Sequence, residues 1–210
     1  HISSLNSKAQ IIISHPDGLI TAEDAERVEE NARTINLPPD YEIINAIPRY
    51  YTIDDQTGIT NPVGMFGRRL EVETHVVIGL RTLAKNLQKC VEQAGLAMEA
   101  TVLEPVATAR AILTRDEMDL GVVLLDVGGG TTDIALFAQG SICFTASVPL
   151  GGANVTRDIA AGLRTSLAEA ERLNQRVVEL YERGRYPQAI PLAQRALAIH
   201  DLHESGDALA

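Results

Sequence analysis

The sequence predicts a mixed architecture: a small α+β unit, then the opening of an α/β domain, then a helical hairpin. Three observations carry this reading. Leu70 to Ile78 alternates Leu70, Val72, Thr74 and Val76 against charged or polar neighbours, the period of a half-buried strand. Gly121 to Asp133 reads GVVLLDVGGGTTD, an apolar run typical of a strand buried on both faces, delivered into three glycines. From Leu173 the apolar spacing turns helical, with Gly184 and Tyr186 at the turn between two amphipathic stretches.

Composition narrows the class. A chain of 210 residues with 45% hydrophobic content can bury a core in one medium domain or two small ones. Its formal net charge of −10 argues against a nucleic-acid or anionic-membrane partner. Cys90 and Cys143 stand in unrelated contexts without a CxxC and read as buried, reduced thiols of a cytoplasmic protein. The five histidines show no metal spacing, and His200 and His203, which could share a helix face, lack a third ligand. No run of 18 apolar residues and no signal peptide is found. The chain opens at His1 rather than Met and reads as a fragment.

Taken in order, Ile11 to Ile13 is a short strand closed by a turn at Pro16-Asp17-Gly18. Thr21 caps a helix, with Asp24 as its third-position partner. Ala25, Val28, Ala32 and Ile35 share its apolar face, and Glu23, Glu26, Glu29 and Glu30 read as a solvated one. Leu37-Pro38-Pro39 stops the helix. Strands Tyr41 to Ile47 and Tyr50 to Ile53 follow, broken by Pro48, with loops at Asp54 to Gly58 and Asn61 to Gly67. A helix over Thr82 to Ala94 carries the stripe Leu83, Leu87, Cys90, Val91 and Ala94 and ends at Gly95. Val102-Leu103 reads as a short strand, Pro105 to Leu113 as a helix, and Asp116 to Asp119 as a loop. Strands 122–126, 133–138 and 142–148 form a meander, with a tight turn at Gln139-Gly140. Asn154-Val155-Thr156 then caps a helix from Arg157 to Leu163.

The chemistry concentrates at Asp126 to Asp133. The strand brings a carboxylate, Asp126, to the base of a turn built from Gly128, Gly129 and Gly130. Bare backbone N–H groups there can form a concave anion site, and Thr131 and Thr132 add hydroxyls. A carboxylate beside phosphate can hold a hydrated divalent cation or orient a water. The alternative is a glycine hairpin that merely joins two core strands. Gly151-Gly152 before a helix allows a second anion approach or an ordinary strand-to-helix turn. Neither GxxxxGK[ST] nor a GxGxxG after a strand occurs.

The loop at 126–133 resembles the second phosphate loop of the actin, Hsp70 and sugar-kinase superfamily. Within it the chain most resembles the FtsA family of actin-like cell-division proteins. HISSLNSK at 1–8, ITAEDAERV at 20–28 and INAIPRYYTIDDQTGITNPVGMFGRRLEVETHVV at 44–77 resemble that family's 1C (SHS2-like) subdomain. KNLQKCVEQAGL, VLEPVATARAIL and PLGGANVTRDIAAGLRTSLAEAE resemble the segments that follow it. The resemblance implies a 1C subdomain at 1–78, the end of a first actin-like (ribonuclease H-like) large domain at 79–119, and the start of a second at 120–172. Residues 173–203 resemble one tetratricopeptide repeat, followed by a tail at 204–210. PilM, a pilus protein with a related subdomain, is the alternative within the superfamily.

The resemblance further implies ATP and Mg as ligands. Asp126 would face the metal through water, Gly128, Gly129 and Gly130 would face the β- and γ-phosphates, and Thr131, Thr132, Gly151 and Gly152 would add contacts. It implies self-association, contacts with later division proteins and with FtsZ, and a place at the cytoplasmic face of the division septum. The family's first phosphate loop, adenosine pocket, FtsZ surface and membrane-anchoring helix have no counterpart in these residues. The expectation is therefore an incomplete ATP site with little or no catalysis, and a sheet of three strands with an unpaired edge prone to association. A different class is also open: a repeat-type protein-interaction module fused to an FtsA remnant.

Overall fold

A computed structural model describes residues 2–192. His200, His203, the end of the hairpin and the tail lie outside the described residues.

The chain runs β1 (Ile2–Ile12), α1 (Ala22–Arg33), β2 (Tyr41–Ile53), β3 (Gln56–Ile59), β4 (Arg69–Leu80), α2 (Arg81–Gln93), α3 (Glu104–Ile112), α4 (Arg115–Leu120), β5 (Val122–Val127), β6 (Thr132–Ala138), β7 (Ser141–Val148), α5 (Gly152–Leu163) and α6 (Leu167–Glu182). A further helical stretch runs from 186 to 192. Among the described residues two compact units result, 2–126 with 133–148, and 127–132 with 149–192.

In the first unit, an antiparallel sheet of order β1-β4-β2-β3 packs α1 on one face. The contact is sealed by Val28 and Ala32 of α1 with Ile11, Tyr51, Ile53, Leu70 and Val72 of the sheet. Thr21 holds the start of α1 by accepting from the Asp24 N–H, and the Asp24 carboxylate accepts the Thr21 N–H and hydroxyl in return. The Thr21 backbone N–H is the main cause holding the Asp24 carboxyl below its ordinary range, against the opposing effect of burial. Thr21→Ala should cost about 1 kcal/mol of stability in a urea titration.

Several elements depart from expectation. The first strand starts at Ile2 rather than Ile11, because β4 pairs with it along its whole length. Pro48 does not break β2; one strand runs from Tyr41 to Ile53, and the register shift between Pro48 and Tyr50 takes up the missing donor as a bulge. Within the expected loop 54–58, Asp54 at positive φ turns the chain into β3. Val102-Leu103 forms no strand, and Leu103 instead stands at the N-cap of α3. The segment 116–119 is helical, because Thr114 and Glu117 form a capping box that starts α4. The acidic face of α1 is not wholly solvated: Glu29 accepts from the Tyr51 hydroxyl and Asp24 is buried. Cys90 is exposed and Cys143 half-buried, both free. The α2 stripe that carries Cys90 buries none of its residues, and Leu83 and Leu87 are more than half exposed.

The meander is present as a sheet of order β5-β6-β7, turned at Gln139 and Gly140, both with positive φ as a tight hairpin requires. Its core face joins Leu124, Ala135, Phe137 and Ile142 to Ala109 of α3. β7 lies against the four-stranded sheet, so β4 is buried from both sides. The join is polar. Ser4 donates to the Thr145 carbonyl at 2.8 Å and accepts its N–H at 3.1 Å. The Asn6 amide donates to the Cys143 carbonyl at 3.3 Å, and Ser141 to the Arg49 carbonyl at 3.0 Å. His75 bridges Asn6 Oδ1 at 2.8 Å and the Thr145 hydroxyl at 3.1 Å.

In the second unit, α5 and α6 pack through Ile159, Ala160, Ala170 and Leu173, and Thr156 donates to Glu171 at 2.8 Å. Gly184 at positive φ turns the chain after α6, where Tyr181 meets Tyr186 edge to face and Leu180 and Ala189 are buried.

Candidate functional site

Asp126 is the penultimate residue of β5, half-buried. The Thr108 hydroxyl of α3 donates to its Oδ2 at 3.1 Å. α3 can place Thr108 there because the next residue, Ala109, packs on Leu124 in the sheet core. Among the described residues Oδ1 has no protein partner, so the carboxylate is held by one oxygen and open at the other. The sequence reading missed Thr108. Its signal was a lone hydroxyl among the small and apolar residues Val106, Ala107, Ala109 and Ala111.

The glycine turn belongs to the second unit. Gly128 N–H donates to the Thr131 carbonyl at 2.9 Å and closes it. The carbonyls of Gly128 and Gly129 accept from Gly152 and Ala153 at the start of α5, at 2.9 and 2.8 Å. The Thr132 hydroxyl donates to the Leu150 carbonyl at 2.7 Å. Thr131 contributes the carbonyl that closes the turn. Thus Gly128 to Thr132, Gly151 and Gly152 come together, while Asp126 is held in the first unit. The helix starts at Gly152 rather than Arg157, which puts the diglycine at the cap and first turn of α5.

The glycines serve different ends. None of Gly128, Gly129 and Gly130 has positive φ, so the conformational freedom expected of them is not what the turn uses. A Cβ on Gly128 would stand 3.2 Å from the Thr131 carbonyl, which accounts for that position. At Gly129 and Gly130 a Cβ would meet nothing within 4 Å. Their N–H groups have no hydrogen-bond partner among the described residues, and both glycines are exposed. Neither backbone conformation nor packing requires glycine there. What a side chain would obstruct is approach from outside to two adjacent, unused N–H donors. No group of three or more His, Cys, Asp or Glu that could hold a metal occurs among the described residues.

Two family models match. One, described as the SHS2 domain inserted in FtsA, covers residues 1–78; the other, cell division protein FtsA, covers residues 123–194. A solved structure titled PilM-PilN type IV pilus biogenesis complex aligns with a TM-score of 0.56 at 18% identity, over 97% of this chain and 54% of that one. The chain carries an SHS2 domain at residues 1–78, and its fold is similar to that of the PilM-containing structure. The matched segments, 1–78 and 123–194, belong to the FtsA family.

The chain is 45% identical to cell division protein FtsA of Neisseria meningitidis over 171 residues, 81% of this chain and 41% of that protein. It is 43% identical to that of Pseudomonas aeruginosa over 176 residues, 84% and 42% respectively. It is 40% identical to that of Bacillus subtilis over 181 residues, 86% and 41%. The chain therefore spans about two fifths of the length of these relatives. The FtsA model runs to residue 194, past the point near 172 where the resemblance was expected to stop, and takes in most of the hairpin read as a repeat. No helix among the described residues is long and apolar enough to cross a membrane.

Proposed function

We propose that this chain is the portion of an FtsA-like cell-division protein that carries the SHS2 domain and the second phosphate loop. In this reading Gly129 and Gly130 offer their N–H groups to the terminal phosphates of ATP. The observation that carries it is the pair of exposed, unpartnered glycine donors at positions where protein structure alone would tolerate a side chain. The donor set fits: N–H groups suit phosphate oxygens, and the open Oδ1 of Asp126 suits a water on magnesium. The nucleotide, when bound, supplies the phosphate charge that these groups recognise. Thr108 keeps Asp126 in one rotamer, and Thr132 ties the end of the loop to Leu150. One loop alone gives weak binding, because convergent donors are what make anion sites tight.

The family resemblance supports self-association, contacts with later division proteins and with FtsZ, and action at the septum as the setting of the longer protein. A second reading rests on the turn at Gly184 and the burial of Leu180 and Ala189 on either side of it: a repeat-like helical segment beginning at 173 that packs on a partner protein.

Calorimetric titration with Mg-ATP tests the first reading. The native chain should bind weakly, and Asp126→Ala should bind at least about ten-fold more weakly, a loss of roughly 1.4 kcal/mol. No heat at millimolar nucleotide would overturn it and direct attention to the SHS2 surface and the hairpin.

A further inference from the structure

We infer that the start of α5 is a clasp that shapes the glycine loop, with Gly151 and Asn154 as positioning residues rather than phosphate ligands. The inference rests on the reading of that loop as an anion site. A helix N-terminus ordinarily leaves its first N–H groups free, and in that state it attracts anions. Here two of them are spent. Gly152 N–H and Ala153 N–H donate to the carbonyls of Gly128 and Gly129 at 2.9 and 2.8 Å. With those carbonyls turned onto the helix, the N–H groups of Gly129 and Gly130 are the donors left without a protein partner.

The clasp tolerates almost nothing between its parts. A Cβ at Gly151 would lie 2.5 Å from Gly128 O, 2.7 Å from Gly129 C and 2.8 Å from Gly129 O. All three are backbone atoms, so the collision cannot be relieved by a side-chain turn; the loop itself would have to move. Gly151 has extended backbone, so space rather than conformation demands glycine. Asn154 locks the approach. Its Oδ1 accepts the Gly151 N–H at 3.2 Å and the Arg157 guanidinium at 3.1 Å. α5 is itself fixed by Ile159 and Ala160 against Ala170, and by Thr156 on Glu171.

The test uses the 210-residue chain and the variants Asn154→Ala, Asn154→Asp and Gly151→Ala. Amide hydrogen exchange reads the clasp at Gly152 and Ala153 without any ligand. Titration with inorganic pyrophosphate, followed at the Gly129 and Gly130 amide resonances, reads the loop. In the native chain the Gly152 and Ala153 amides should be protected and pyrophosphate should shift Gly129 and Gly130. Asn154→Ala should lose that protection and weaken pyrophosphate binding by about five-fold. Asn154→Asp keeps the acceptor oxygen and should restore both, which a role in general stability would not require. Gly151→Ala should show the largest loss. If pyrophosphate shifts the native loop but binds Asn154→Ala and Gly151→Ala as tightly, or if Gly152 and Ala153 exchange freely in the native chain, the clasp is refuted and the anion site stands. If the native chain shows no shift at Gly129 and Gly130, the anion reading falls and the positioning role with it.

Discussion

Glu73→Ala should destabilise the first unit by about 3–5 kcal/mol, among the largest effects available to one substitution. Glu73 lies on β4 and holds three partners. Its carboxylate pairs with the Arg49 guanidinium, accepts from the Tyr50 hydroxyl at 2.7 Å and meets Lys8 Nζ at 3.1 Å. Burial pushes its carboxyl upward, but Tyr50, Lys8 and Arg49 together outweigh that and hold it below the ordinary range. The cost of the variant comes less from the lost attraction than from what remains. The Arg49 side chain is only 11% exposed, and its Nε already lacks a partner among the described residues. Without Glu73 that charge is buried and uncompensated. Lys8 is 59% exposed and contributes little. Urea unfolding of Glu73→Ala, Arg49→Met and the double variant checks this. The double variant should recover much of the loss; if it is as unstable as the sum of the singles, the charge argument is wrong and packing alone explains the effect.

Acid should loosen the same unit through a buried imidazole. His75 is 1% exposed, and burial, helped by the charge of Arg49, lowers its pKa from 6.5 to about 4. A depressed imidazole takes up its proton more readily in the unfolded chain than in the folded one. Its contribution is therefore intact above about pH 6.5 and is lost as the pH falls towards 4, at a total cost of about 3 kcal/mol. Protonation also makes both ring nitrogens donors. Asn6 Oδ1 can only accept, so neutral His75 donates from Nδ1 and accepts the Thr145 hydroxyl at Nε2; once Nε2 is protonated the hydroxyl must turn and accept instead, and these bonds join β7 to the four-stranded sheet. Unfolding free energy measured between pH 7 and 4 should fall steeply in the native chain. In His75→Gln it should be flatter over that window. Equal slopes in the two proteins would show that other groups carry the acid sensitivity.

The sequence showed the elements whose signals are local. The Thr21 cap, the Gln139-Gly140 turn and the three-strand meander need only neighbours in the chain, and all three appear as expected. What it hid depends on partners far away. Ser3, Ser4, Asn6 and Ser7 do not read as a strand, yet β4 supplies a complete ladder for them. Pro48 reads as a break until a bulge accommodates it. At the site, the glycines and Asp126 were visible as residue types. The division of labour among them was not, because it turns on which carbonyl faces α5 and where a Cβ would have room. Thr108 was missed, and Asn154 was read as a cap of a helix starting at Arg157 rather than as the acceptor of the Gly151 N–H, for the same reason: each acts through a contact that no spacing rule encodes.

The polar join at β7 has a consequence for assembly. A strand at a sheet margin normally offers its backbone as a template for the next strand. At Cys143 and Thr145 that template is already taken, not by another strand but by the side chains of Ser4 and Asn6. Side chains cannot pass the pattern on. Growth of this three-stranded sheet by strand addition is therefore blocked at these positions of β7 by side chains of its own unit, a covering that a neighbouring molecule cannot extend.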